Sequence, residues 1–198
     1  MLARMESVAK NIEHIKEIVA MQQSYAKVSG VFEDLSLEDL IEDALRMNLA
    51  AFDRHRIDLV REFDEKVPRV RVDRHKVLQI LINLLRNAKH AMEDVSSQKR
   101  QMTIRVTTAG PDRVKVSVID TGIGIGPEIL NKVFNHGFTT KKDGHGFGLH
   151  SGANAATEMG GSLTATSEGP GKGATFTLEL PAATTARPKE KSQLELTK

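Results

Sequence analysis

Cysteine is absent from the 198 residues, which excludes disulfides and thiolate metal sites and fits a reducing compartment. A dominant charge is missing too. The 28 basic and 26 acidic residues leave a net +2, so no chain-wide attraction to nucleic acid or to an anionic membrane is expected. No apolar run approaches the roughly 18 residues of a membrane span. The opening MLARMESVAKNIEH also has none of the apolar stretch that a signal peptide needs. The expectation is a cytoplasmic chain without nucleic-acid or membrane contact of its own, any membrane anchor of the natural protein lying outside it. Common phosphate motifs are lacking as well: there is no G-x-x-x-x-G-K-[ST] and no strand followed by G-x-G-x-x-G, and GPGKGAT at 169–175 has a different spacing. The signatures of Ser/Thr/Tyr protein kinases are absent, the seven histidines show no metal-ligand spacing, and no internal repeat is visible.

What remains is globular in character, with 39% hydrophobic and 27% charged residues. Met5, Val8, Ile12, Ile15, Val19, Gln22 and Ala26 alternate spacings of three and four, a narrow seam that predicts a long helix paired with another helix. Ser29-Gly30 ends it. Ser36 then caps a helix running to about Leu49, with Glu38 and Asp39 in its first turn. A strand over 57–63, the segment Val70-Arg71-Val72 and a helix over 74–92 capped by Asp73 follow. Strands at 103–108 and 113–119 flank the turn Ala109-Gly110-Pro111-Asp112. About 20 residues with little periodicity precede a helix from Leu149 to Met159 and strands near 162–167 and 174–180. This order predicts an α/β fold, a two-layer sandwich in which helices cover one face of a mixed sheet. Residues 182–198 carry few large apolar groups and read as a tail.

Three stretches carry chemistry. In the middle helix Asn83, Asn87 and His90 share one face of an otherwise apolar surface. The amides either satisfy each other in the core or point at something polar, and an amide oxygen is a weak but competent ligand for Mg²⁺. In DTGIGIG, Asp120 ends an apolar strand. It is a turn former, or a carboxylate that selects an amine such as that of adenine, with Gly122, Gly124 and Gly126 leaving room for a flat ligand. In GHGFGLH, Gly144, Gly146 and Gly148 precede a helix, where bare N–H groups favour a phosphate. Between these clusters, Phe134, Phe138, Lys141 and Lys142 describe a long loop with apolar anchors and cationic ends, the pattern of a lid.

In this order NLLRNAKHA, DTGIGI, FNHGFTTK and GHGFGL resemble the asparagine, first glycine, phenylalanine and second glycine boxes of sensor histidine kinases. The resemblance covers about 31–181 and implies a Bergerat-type ATP-binding catalytic domain, with 1–30 similar to the second helix of a dimerisation and phosphoacceptor hairpin. It implies ATP and Mg²⁺ as ligands, a homodimer through the first helix, and a response-regulator receiver domain as partner. Asn83, Asn87, His90 and Lys141 take the catalytic positions, and Asn87 that of the Mg²⁺ ligand. The nucleotide contacts implied are Asn83, Asn87, Asp120, Gly122, Gly124, Ile125, Phe138, Lys141, Gly144, His145, Gly146, Phe147, Gly148, Leu149 and Thr175. His145 and Phe147 replace the commoner Thr and Leu. No residue of 1–30 matches the phosphoacceptor box, since His14 is followed by Ile-Lys, so the expectation is a chain that begins inside the hairpin without its phosphate acceptor. Two other readings differ in class: an ATP-hydrolysing clamp, whose relatives carry Glu at the position of Asn83, and a dimeric scaffold with a vestigial nucleotide site.

Overall fold

Ser36 opens the first helix as its sequence predicts: its hydroxyl accepts the Asp39 amide at 3.3 Å, and Glu38 and Asp39 sit at the positive end of the helix dipole. The computed structural model describes residues 31–93, 95, 99–141 and 146–183, so the helix expected over 1–30 and most of the tail fall outside the described residues. Helix α1 (Leu37–Arg46) buries Leu37, Leu40, Ile41, Ala44 and Leu45, the i, i+3, i+4 stripe of an amphipathic helix. It stops short of Leu49. The Asn48 side chain donates to the Ala44 carbonyl at 2.8 Å, while its own amide turns to Leu45. The chain restarts as a short α2 (Leu49–Arg54) that buries Phe52.

The main sheet has the order β2 (Asp58–Phe63), β4 (Gln101–Thr108), β5 (Arg113–Asp120), β7 (Ala174–Pro181), β6 (Ser162–Thr166). Strands β2 and β4 are parallel and the other neighbours antiparallel, so the sheet is mixed. Beside it β1 (Glu33–Leu35) pairs with β3 (Val70–Val72). Strand β1 has no counterpart in the sequence reading, because EDL is too short and polar to show alternation. Helix α3 (Arg74–Glu93) starts where Asp73 Oδ1 accepts the His75 and Lys76 amides at 3.0 and 3.3 Å. It buries Val77, Leu78, Ile80, Leu81, Leu84, Leu85, Ala88 and Met92 between the sheet and α5 (Gly148–Glu158). A four-residue helix α4 (Pro127–Leu130), also unanticipated, lies in the stretch without periodicity.

Two features of this packing position the site. Asn83, Asn87 and His90 fall on the half-buried edge of α3 because the opposite faces are taken by the core. In β5 the period of two that buries Val114, Val116 and Val118 also brings Asp120 to the buried face. Its carboxylate therefore points inward by register, not by local choice.

Leu84 is fully buried, so Leu84→Ala should destabilise the domain by about 2–5 kcal/mol in urea unfolding. Arg61, whose partner Glu42 lies 2.6 Å away on the surface, should lose less than about 1 kcal/mol on replacement by Ala.

Candidate functional site

Asp120 is 3% exposed. Its Oδ1 accepts the Gly122 amide at 2.8 Å, and the nearby Ala174 amide also favours the ionised carboxylate. Its Oδ2 is buried and has no partner. Burial pushes the Asp120 carboxyl up to about 6, against the downward pull of the Gly122 and Ala174 amides. The two oxygens thus differ: Oδ1 closes an Asx-type turn, and Oδ2 is a buried acceptor without a donor.

The glycines around Asp120 serve the protein's own packing first. A Cβ at Gly122 would lie 2.5 Å from the Ala91 carbonyl oxygen of α3, and one at Gly124, where φ is +69°, would run into the Gly169 carbonyl. Close approach is therefore needed, as expected, but the surface approaching is helix α3 and the β6–β7 loop. That loop, SEGPGKG, was not anticipated as part of the site. Ser167 Oγ accepts the Ile125 amide at 3.0 Å and donates to the Gly173 carbonyl at 2.6 Å. The Gly171 and Gly173 amides donate to the Ile123 and Gly122 carbonyls at 2.6 and 3.1 Å. A Cβ at Gly173 would collide with the Asp120 carbonyl. The signal was present as the GPGKG run, which has the wrong spacing for a phosphate loop and the right one for a backbone clamp. Thr175 lies next to this clamp, paired with Ile119 across the β5–β7 ladder.

The second cluster sits on α3 in the turn that leads to Ala91. Lys141 Nζ donates to Asn87 Oδ1 at 2.7 Å and to His90 Nδ1 at 3.2 Å, which places the His90 proton on Nε2. Burial, then the Lys141 charge, lowers the His90 pKa, so the imidazole is neutral at pH 7. Burial, then the Arg86 charge, likewise holds Lys141 below the ordinary lysine value. Asn83 lies against the start of α5, where a Cβ at Gly148 would be 2.5 Å from Asn83 Oδ1. Helix α5 begins without a side-chain cap, leaving its first amides for an anion.

The loop between the clusters is anchored at its ends. Gly146 packs on the Gly137–Phe138 peptide, and Phe147 meets the His136 ring at 5.0 Å. His150 Nδ1 donates to the Phe134 carbonyl at 3.0 Å while its Nε2 accepts from Asn154 at 3.2 Å. Phe138 is half-buried, and Ile125 and Leu149 pack partly into the core. Gly144 and His145 lie outside the described residues. Among the described residues no group of three or more His, Cys, Asp or Glu could hold a metal ion. Asn87 Oδ1 faces a cation, the Lys141 ammonium.

The family model for histidine kinase-, DNA gyrase B- and HSP90-like ATPases matches residues 72–184, which hold α3, the buried Asp120 and α5. The chain belongs to this family. Within the family it is an ATP-binding domain of the histidine-kinase type. Sensor protein FixL of Bradyrhizobium diazoefficiens is 36% identical over 172 residues, covering 87% of this chain and 32% of that protein. The chain thus spans about a third of this curated relative. The solved catalytic domain of histidine kinase ThkA is 29% identical with a TM-score of 0.68, covering 77% of this chain and 99% of that one. A structure of ThkA in complex with response regulator TrrA is 26% identical with a TM-score of 0.70, covering 88% and 49%. Among the described residues of this family member no helix is long and apolar enough to cross a membrane.

Two outcomes check this geometry without nucleotide. Gly122→Ala should lower the melting temperature of the nucleotide-free domain, because its Cβ meets the α3 backbone; an unchanged melt would return the glycine to a ligand-only role. Asp120 has a folded-state pKa above its unfolded value, about 6 against 3.8, so the cost of ionising it grows as pH rises through that window and is constant above it. Asp120→Asn should therefore gain stability over the parent between pH 4 and 7, by up to about 3 kcal/mol in urea melts.

Proposed function

We propose that this chain is the catalytic part of a protein histidine kinase, passing the γ-phosphoryl group of ATP to a histidine for relay to a response-regulator aspartate. The observation that carries the reading is the unpartnered, buried Asp120 Oδ2, whose turn rests on Ala91 of α3, beside the Asn87–His90–Lys141 cluster on the same helix. Asp120 Oδ2 accepts a hydrogen from the exocyclic amine of adenine. Asn83, Asn87 and the α5 amides then face the phosphates, and Lys141 exchanges Asn87 for a phosphate oxygen. His90 stays neutral beside it and orients that ammonium. A magnesium ion held at Asn87 Oδ1 would supply compensation of phosphate charge. Phosphoryl transfer asks a protein mainly for positioning and charge stabilisation, which these groups can provide.

Asn83 supports the kinase branch of the family over the hydrolytic clamps, because an amide cannot take a proton from water. The proposed setting is a cytoplasmic homodimer joined through residues 1–30, with 31–181 as the catalytic domain and 182–198 as a tail. The relay partner is a receiver domain, a proposal supported by the solved pairing of ThkA with TrrA.

The test is calorimetric titration with ATP, with and without Mg²⁺, followed by incubation with a histidine-bearing helical hairpin and assay for acid-labile phosphate. Saturable binding and label on histidine support the proposal. Rapid release of ADP without an acceptor supports a clamp, and no nucleotide binding supports a scaffold. Asn87→Ala should reduce phosphotransfer by at least about 100-fold while adenosine affinity changes little; equal losses in both would indicate unfolding.

A further inference from the structure

A cavity of about 650 Å³ opens between the end of α2, the start of β2, Val95 and the Lys99–Arg100 pair that precedes β4. Among the described residues its walls carry Arg54, Arg56, Lys99 and Arg100 against a single carboxylate, Asp58. Asp58 pairs with Lys99 at 2.7 Å, but both side chains are more than half exposed, so the pair adds little and is easily exchanged. Arg100 donates to the carbonyls of His55, Glu93 and Val95 at 3.1, 2.9 and 3.3 Å. It thereby closes the C-terminal end of α3, and no carboxylate among the described residues pairs with it. Glu93 is engaged by Lys89 at 3.1 Å and His55 at 3.5 Å.

The side chains of Arg54 and Arg56 make no hydrogen bond or ion pair with the described residues. Elsewhere on this surface pairing is usual: Arg61, Arg74, Lys76, Arg105 and Lys115 each face a carboxylate within 3.4 Å. Arg56 also has φ +54°, a left-handed conformation that glycine adopts at lower cost. A turn there would be easier without the arginine, yet the corner presents its guanidinium beside the cavity.

We propose that this cavity is a second anion site, separate from the nucleotide site, which takes a small molecule with adjacent phosphate groups. Guanidinium forks match phosphate oxygens in pairs. Two unpaired guanidiniums, an exchangeable ammonium and the fixed Arg100 call for more than one negative charge. The volume exceeds that of a lone phosphate and falls in the range of small-ligand pockets. The site adjoins the adenine end of the domain, since the Lys99 carbonyl accepts the Thr121 hydroxyl at 2.9 Å, next to Asp120.

The test is an amide NMR titration of the whole chain, saturated with ADP, using inorganic pyrophosphate as probe. The amides of Arg56, Ile57, Lys99 and Arg100 should shift saturably while those of Asn87 and His90 do not. Arg54→Ala combined with Arg56→Gly, a pair chosen because glycine suits that φ, should weaken pyrophosphate by at least about tenfold and leave ADP affinity unchanged. If the pair does not fold, Arg54→Ala alone should still weaken the probe by at least about threefold. Shifts confined to Asn87 and His90, a non-saturating response equal to that of sodium chloride, unchanged affinity in the variants, or binding to anionic lipid vesicles without binding to pyrophosphate would each overturn the proposal. Failure of ADP to bind bears on the kinase reading instead, because the two sites report at different amides.

Discussion

The domain is organised around a carboxylate that the sheet forces indoors. Three valines at alternate positions of β5 leave Asp120 no other face, and the turn that follows satisfies only one of its oxygens. A buried acceptor without a donor is costly, and burial raises the carboxyl to about 6. Local conflicts of this kind are concentrated at functional sites.

Holding that carboxylate in place takes three segments distant in sequence. Gly122 rests on the Ala91 carbonyl of α3, and the β6–β7 loop clamps the turn through Ser167, Gly171 and Gly173. Because Ala91 follows His90 directly, the base end and the phosphate end of the candidate site are mounted on one helix. Movement of α3 would displace both ends together. The Lys141 contact with Asn87 and His90 occupies the phosphate end with a cation, so nucleotide would replace protein contacts already suited to charge.

Much of this was legible in the sequence, for a physical reason in each case. The alternation of Val114, Val116, Val118 and Asp120 shows both the strand and its inward carboxylate. The apolar stripe of α3 leaves Asn83, Asn87 and His90 on its edge. Less was visible where a single side chain or a tertiary contact decides. The Asn48 bond to Ala44 splits a predicted helix in two, β1 exists only through its pairing with β3, and Pro127–Leu130 is too short to show a period. The need for glycine at 122 and 124 was visible, but not that the approaching surface is protein. Ala91, Ser167 and Gly173 meet the site only after folding, so no local pattern marks them.

The most direct measurement is a ¹³C-carboxyl NMR titration of Asp120 in the nucleotide-free domain and in its ADP complex. The account predicts a free-state pKa near 6, and a clear fall when the adenine amine engages Oδ2, since a donor favours the ionised form. An ordinary aspartate pKa in the free domain, or one that ADP leaves unmoved, would contradict it.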